Sequence, residues 1–462
     1  MKYLGSPKAR CMKHKTQLAR LGLFDVKVPR YTSYPTAAQF RDTVGPGDYA
    51  RWMTEIPENA RVSLYVHIPF CRRLCWFCAC RTQGTNTESP VRAYLDMLRA
   101  ELALIAQHLP KGVTLSRLHW GGGTPTLLNA DMITELAGLI HDVVPMHETG
   151  EFSVEIDPNE LDQARLDALV AAGMGRASIG VQDFDPEIQK TIGRIQGFDI
   201  TRDVVEMIRN AGIASINADI LFGLPHQSRA RITESVQKLL ALSPDRVALY
   251  GYAHVPWMAK RQQMIPTESL PTPEARLDLF ETARQMFLWD GYDEIGIDHF
   301  ARPDDSLALA QKTGTLRRNF QGYTDDPADV LIGVGASSIS RFPQGFTQNA
   351  VSTSQHMKAI SDGRFSVAKG HVFAGQDNLR AAMIERLMCD FGFDISEMAA
   401  EFGVPVSLVQ GICTNALRPY SGYVQQTESR VRILPEGRAL TRIIARAFDA
   451  YELSKLGHSS AI

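Results

Sequence analysis

The sequence predicts an α/β protein: a partial barrel of six parallel strand–helix units, with an N-terminal arm and a mostly helical, winged-helix-like C-terminal domain. Three observations point there. Between residues 61 and 300, six β-rich runs alternate with helical periodicity. Each run gives way to a polar or glycine-rich segment. After about residue 375 the pattern turns helical, interrupted by one short two-strand stretch.

The runs are VSLYVHI (62–68), LSRLHW (115–120), FSVEI (152–156), RASIGV (176–181), INADILF (216–222) and RVALYGY (246–252). Amphipathic stretches such as 91–109 and 131–144 lie between them, so the units are βαβ crossovers on a parallel sheet. Six units suggest a barrel with an open side. The segments after the runs are a cysteine cluster, GGGTPT, Asp157-Pro158, Gln182-Asp183, GLPHQ and Ala253-His254-Val255-Pro256. Active sites of α/β barrels are built at that end of the strands.

The expected division is an arm over 1–60, the barrel over 61–300, an irregular substrate-side segment over 301–370 and the helical domain over 371–462. The helices and following hairpin of the last region resemble a winged-helix module. It carries no concentrated basic stripe, so a substrate lid or partner surface is expected there rather than DNA binding.

Of 462 residues, 44% are hydrophobic and 22% charged, with a formal net charge of −2. That balance excludes a broad electrostatic footprint for nucleic acid or an anionic membrane. The basic start, MKYLGSPKARCMKHKTQ, lacks the apolar core of a secretory leader, and no apolar run reaches membrane-spanning length. A cytoplasmic protein, without nucleic acid or membrane insertion, is expected.

Four of the seven cysteines, Cys71, Cys75, Cys78 and Cys80, lie within ten residues, whereas Cys11, Cys389 and Cys413 are scattered. A disulfide framework would be spread out and even in number, so the cluster reads as metal ligation. Cys71, Cys75 and Cys78 have the spacing C-x3-C-x2-C. Three thiolates on one loop suit three irons of a [4Fe–4S] cubane, leaving the fourth iron for a small molecule bound through an amine and a carboxylate. That arrangement serves reductive cleavage of S-adenosylmethionine (SAM) to a 5′-deoxyadenosyl radical. The alternative is structural zinc with Cys80 as fourth thiolate, but C-x3-C-x2-C-x-C would give a cramped tetrahedron.

Gly121-Gly122-Gly123-Thr124-Pro125-Thr126 follows the second strand. Without Cβ atoms such a run brings backbone N–H and C=O groups close to a ligand, and here it suits the methionine end of SAM. Alternation along FSVEI places Ser153 and Glu155 on the barrel interior, with Val154 and Ile156 outside. Asp219 in INADILF is placed the same way. A charge inside a strand needs a partner, and both carboxylates suit ribose hydroxyls or an ammonium.

Together, PRYTSYPT, YVHIPFCRRLCWFCAC, LHWGGGTPT, EIDP, GVQDF, DILFGLPHQ, YAHVP, DHFARPDD and NFQGYT resemble the oxygen-independent coproporphyrinogen III oxidases over nearly the whole chain. The resemblance implies oxidative decarboxylation of two propionate side chains of coproporphyrinogen III to vinyl groups, giving protoporphyrinogen IX in haem biosynthesis. It also implies a [4Fe–4S] cluster and up to two SAM molecules. Tyr65, Gly122, Glu155 and Ile339 match positions contacting cluster-bound SAM. Phe77, Gly123, Thr124, Gln182, Arg194, Asp219 and Ala253 match contacts to a second SAM. Ala79 and Arg81-Thr82 depart from the family's commoner Gly and Asn-Lys beside the cluster. The resemblance further implies a monomer fed by an electron donor such as flavodoxin or ferredoxin.

Arg30, Arg302, Arg317 and Arg318 are candidates for holding substrate propionates. A rival reading is a haem-binding chaperone of the same superfamily. Those relatives lack the PRYTSYPT arm and the fourth cysteine, and carry a His-Asn motif where this chain has NFQGYT. A second rival is a radical SAM methyltransferase or another anaerobic enzyme acting on a different tetrapyrrole.

Overall fold

The computed structural model describes residues 17–452; the basic start with Cys11, and residues 453–462, lie outside the described residues. Each β-rich run forms a strand: β1 Arg61–Ile68, β2 Thr114–Gly122, β3 Met146–Ile156, β4 Met174–Gln182, β5 Ser215–Phe222 and β6 Arg246–Gly251. They pair in parallel in chain order, with Tyr65 opposite His119, Glu155 opposite Ser178 and Gly180 opposite Asp219. The crossover helices begin where sequence provides a cap. Asn129, Asp162, Ser228 and Thr272 each accept a backbone N–H from the first turn of the following helix.

The strands' outward faces and the helices share one apolar core, which includes Leu118, Trp120, Val154, Ile156, Ile216 and Leu249. Glu155, Ser153 and Asp219 consequently fall on the inner face, as alternation requires. Among the described residues no helix is long and apolar enough to cross a membrane.

The segment expected to be irregular instead carries several short strands and the helices Ser306–Thr313 and Thr353–Ser361, and the strands begin just before it. β7 Asp293–Ile295 and β8 His299–Ala301 extend the sheet beyond β6 in antiparallel fashion. β9 Leu331–Val334 pairs in parallel with β1, making a seventh parallel strand on the other side. β10 Ile339–Phe342, β11 Gly345–Asn349 and β12 Val367–Val372 continue outward as an antiparallel meander. The whole sheet has twelve strands, ordered β12-β11-β10-β9-β1-β2-β3-β4-β5-β6-β8-β7. These added strands have three to six residues, too few for periodicity to register in sequence.

Part of 301–370 is also not on the substrate side. Asp305 pairs with Arg246 at 2.7 Å and Asp325 with Arg117 at 2.9 Å. Asp326 accepts the Ser116 hydroxyl at 2.9 Å and the Ser63 hydroxyl. Arg176 donates to Glu151 at 2.9 Å. These partners lie toward the N-terminal ends of their strands, so the segment plugs the barrel's lower mouth. The charges there are half-buried or buried, and a plug of this kind is costly to break on one side only.

The C-terminal region contains helices Asp377–Asp390, Ile395–Glu401 and Val406–Leu417, with a three-stranded sheet of Gly392–Asp394, Arg430–Ile433 and Val424–Gln426. The order helix, strand, helix, helix, hairpin is winged-helix-like. The N-terminal arm belongs to this domain's core: Leu18, Leu23, Phe24, Val28, Tyr31 and Tyr34 pack with Met383, Leu387 and Ile444. The arm then returns to the barrel, where Arg30 Nη2 donates to the Gly251 carbonyl at 2.8 Å, at the upper end of β6.

Candidate functional site

The upper mouth is organised around the loop that leaves β1. This loop is stitched to the glycine segment: Gly123 N–H donates to the Ile68 carbonyl at 2.8 Å, and Thr124 N–H to the Phe70 carbonyl at 2.7 Å. Glycine is required at two of these positions. Gly122 has φ +109°, and a Cβ there would stand 2.3 Å from the His67 ring. A Cβ on Gly123 would stand 2.4 Å from the Phe70 carbonyl oxygen.

Cys71, Cys75 and Cys78 occupy this loop and are half-buried. Burial, and then the neighbouring thiols Cys78 and Cys75, push Cys71 up to about 11, against the Thr124 and Thr82 hydroxyls. Burial also raises Cys75, against the opposing pull of the Arg194 guanidinium. Cys78 is drawn down to about 6, first by a hydrogen bond from Cys80, then by Arg261 and Arg194. Cys80 N–H points at Cys78 Sγ at 3.3 Å. Among the described residues, no three His, Cys, Asp or Glu side chains close on a single metal ion. Three soft thiols sharing one loop, one of them favoured as thiolate beside two guanidiniums, nevertheless form a fitting donor set for an iron–sulfur cluster.

The loop is anchored from beneath by apolar packing. Trp76 and Phe77 lie against Ile188, Ile192, Leu221, Leu224 and Tyr252. Trp76 N–H donates to the Ile192 carbonyl at 2.9 Å.

The inner face carries the expected polar residues. Glu155 accepts the Gly122 N–H at 3.0 Å, and its other oxygen lies 3.5 Å from His119 Nε2. Burial opposes ionisation of Glu155, but His119 and the Gly122 N–H outweigh it and hold the carboxyl below its ordinary value. Although set among strands, its side chain is 44% accessible, so the carboxylate faces an internal hollow. Tyr65 stacks on His119 with ring centroids 5.8 Å apart, and its hydroxyl is 3.0 Å from His67 Nδ1. Asp219 is pushed up to about 6, chiefly by burial, with Asn217 opposing and Glu155 adding to the rise.

Arg194 is not a solvated helix-end charge. Its side chain is 14% exposed; Nη1 lies 3.6 Å from Cys75 Sγ and 3.4 Å from Asp157, and Nη2 donates to the Gly180 carbonyl at 2.8 Å. Gln182, at φ +68°, places its amide nitrogen 3.0 Å from the site of a Gly180 Cβ. Ala253 follows β6 and is tied to Phe77 through Gln262: the buried Gln262 amide donates to Phe77 O at 2.7 Å and Ala253 O at 3.0 Å. Ile339 opens β10, after a turn at the upper end of β9 that packs on β1: a Cβ on Gly335 in this turn would meet the His67 carbonyl at 2.7 Å. All eleven expected cofactor contacts and the three cysteines thus belong to this mouth and its interior wall.

The four candidate arginines separate. Arg302 lies at the lower end, beside Asp290 and over the Tyr292 ring. Arg317 pairs with exposed Asp329. Arg30 and Arg318 adjoin the upper, open flank of the barrel. Sequence reasoning missed His67, His119, Arg261 and Gln262. The two histidines lie within the quoted strand runs with the inward alternation of Tyr65 and Glu155, so the period was the available signal. For Gln262, one of two adjacent glutamines in the short 3-10 helix Lys260–Met264, sequence holds no signal.

A parallel sheet whose upper mouth joins a three-thiol loop, a glycine cradle and an inward carboxylate defines a radical SAM protein, and the Radical SAM superfamily model matches residues 65–239. The chain is 62% identical over 451 residues to the oxygen-independent coproporphyrinogen III oxidase of Paracoccus denitrificans, covering 98% of this chain and all of that one. It is 57% identical to the Cereibacter sphaeroides protein of the same name, over 95% of this chain and 98% of the relative. The solved structure of the Escherichia coli coproporphyrinogen III oxidase, described as a radical SAM enzyme, superposes with a TM-score of 0.88 at 34% identity, covering 92% of this chain and all of that one. The chain belongs to the oxygen-independent coproporphyrinogen III oxidase family.

Proposed function

We propose that this protein oxidatively decarboxylates two propionate side chains of coproporphyrinogen III to vinyl groups, giving protoporphyrinogen IX. The observation that carries the reading is the joining of Cys71, Cys75, Cys78, the Gly122–Gly123 cradle and Glu155 at one mouth, in a chain similar end to end to oxidases of that name. When bound, the [4Fe–4S] cluster and SAM supply a carbon-centred radical able to remove a hydrogen atom from a propionate.

The chain's own residues bind and orient. Cys71, Cys75 and Cys78 hold the cluster, and Arg194 and Arg261 favour the thiolate forms they need. Tyr65, Gly122, Glu155 and Ile339 hold the SAM bound at the cluster, with Glu155 receiving an ammonium or hydroxyl donor while keeping Gly122 in place. Phe77, Gly123, Thr124, Gln182, Arg194, Asp219 and Ala253 frame room for a second SAM. The winged-helix-like domain and arm close the open flank against water. The enzyme works as a cytoplasmic monomer and takes electrons from a carrier such as flavodoxin or ferredoxin.

The test is anaerobic: reconstituted protein, SAM, a strong reductant and coproporphyrinogen III, with products separated by chromatography. Protoporphyrinogen IX together with 5′-deoxyadenosine is expected. 5′-Deoxyadenosine without tetrapyrrole conversion would contradict the reading and favour the haem chaperone or a different tetrapyrrole substrate.

A further inference from the structure

On the open flank beside the mouth lies a cavity of about 480 Å³, a size usual for a small-molecule site. It is enclosed by three separate parts of the chain: Arg30 of the arm, Leu277 and Phe280 of helix Pro273–Trp289, and Phe391 and Arg442 of the C-terminal domain. The barrel contributes Gly251 and Asp298.

Its two ends differ in charge balance. At one end Arg284 and Arg438 both pair with Glu294, at 2.6 and 2.7 Å, with Glu281 nearby. At the other, Arg30, Arg276, Arg318 and Arg442 crowd together. Burial and then Arg30 press Arg276 down to about 10; burial, Arg30 and Arg318 press Arg442 down to about 9. Asp298 is the carboxylate that responds: burial opposes its charge, but Arg318, His299 and Arg30 hold it down to about 2. Asp278 and Glu436 complete the acidic lining. Arg30 donates a hydrogen bond to the Gly251 carbonyl, and Arg442 donates to the Val28 and Pro29 carbonyls.

Arg318 is the telling residue. Its side chain is 3% exposed, yet Nε and Nη1 have no hydrogen-bond acceptor. Nη1 stands 3.8 Å from Asp298, and Nη2 reaches only the Arg30 carbonyl at 3.5 Å. A buried guanidinium with idle donors is costly unless an anion completes it. The planar fork suits a carboxylate in particular.

A chain of hydrogen bonds links the cavity wall to the barrel's inner face. Tyr250, on the inner face of β6, meets His299 Nε2 at 3.2 Å, and His299 Nδ1 meets Asp298 at 2.7 Å. Asp219 and Arg318 both act on Tyr250.

We propose that this cavity anchors the tetrapyrrole by its carboxylates, with Arg318 and Arg30 gripping propionates away from the reacting arm and Leu277, Phe280 and Phe391 receiving the apolar rim. This rests on the function proposed above and narrows the four candidate arginines to the two that line this cavity.

The test uses the full-length reconstituted enzyme and its Arg30→Gln and Arg318→Gln variants, measuring turnover of coproporphyrinogen III and binding of SAM. Losing one charged contact should raise KM for coproporphyrinogen III by about tenfold or more, with SAM affinity unchanged. Arg30→Lys should recover part of the loss. If wild type turns the substrate over and the variants keep its KM, the anchoring site is wrong and the function stands. If wild type does not convert coproporphyrinogen III, the function fails and the anchoring site with it. Should Arg318→Gln lose SAM binding as well, its effect is structural and Arg30→Gln, on the exposed arm, decides: an unchanged KM there overturns the proposal.

Discussion

The Glu155 carboxylate accepts the Gly122 N–H at 3.0 Å, so the inward acid at the upper end of β3 also fixes the backbone of the glycine cradle on β2. Binding group and scaffold are the same side chain. Glu155→Ala should therefore weaken SAM binding roughly ten- to a hundredfold, the worth of a hydrogen bond to a charged group. The cluster should still form, because no cysteine depends on Glu155. Equilibrium dialysis with SAM and the iron content of the same sample check both halves.

Gln262 ties the cluster loop to the segment after β6 with three bonds, to Phe77 O, Ala253 O and Val255 N–H. Gln262→Ala leaves these buried groups unpaired, at a cost of about 1–3 kcal/mol for each group that water does not reach. The expected result is a lower denaturation midpoint together with weaker SAM binding. Unchanged SAM affinity in a destabilised variant would confine Gln262 to a structural role.

Asp219 carries a pH signature. Its folded value, about 6, is above that of an unfolded aspartate, so the folded state binds the extra proton between about pH 4 and 6. The sign follows: ionisation is penalised in the fold, and this residue's contribution to stability falls as pH rises through that window. Asp219→Asn should be the more stable protein at pH 7, by about 3 kcal/mol, with the difference closing near pH 4. Urea denaturation of both proteins at the two pH values is the check. A difference independent of pH would mean Asn217, His299 and His119 compensate the burial.

The lower plug should affect stability without touching chemistry. Asp326 is 6% exposed and accepts hydroxyls from both Ser63 and Ser116. Asp326→Ala should destabilise by about 2–4 kcal/mol, in the range for breaking a buried polar network. SAM affinity should be unchanged, as measured on the folded fraction below the melting transition.

The barrel was legible because its six strands carry apolar runs between helical stretches, and the alternation seen in β3 survives folding: Val154 and Ile156 outward, Ser153 and Glu155 inward. The cysteine spacing and glycine run were legible because both chemistries demand contiguous residues. β9 was not: Leu331–Val334 is four buried residues with no alternation and no crossover helix beside it. The plug escaped for another reason. Asp305, Asp325 and Asp326 lie in a loop-like sequence, and only the fold brings them to Arg246, Arg117 and Ser116. Arg194 reads as a surface charge until Cys75 and Asp157 are seen beside it. Long-range pairings of this kind leave no local periodicity.

The central claim is that three thiolates, Cys71, Cys75 and Cys78, hold the cluster and leave one iron for SAM. The direct measurement is anaerobic reconstitution of wild type and four single Cys→Ser variants, at 71, 75, 78 and 80, reading iron per chain and the cluster's visible absorbance. Serine at 71, 75 or 78 should abolish both, since a hard hydroxyl replaces one of three soft ligands. Cys80→Ser should keep four irons per cluster and the SAM-induced spectral change. Loss of the cluster in Cys80→Ser, or its survival in any of the other three, would contradict the account.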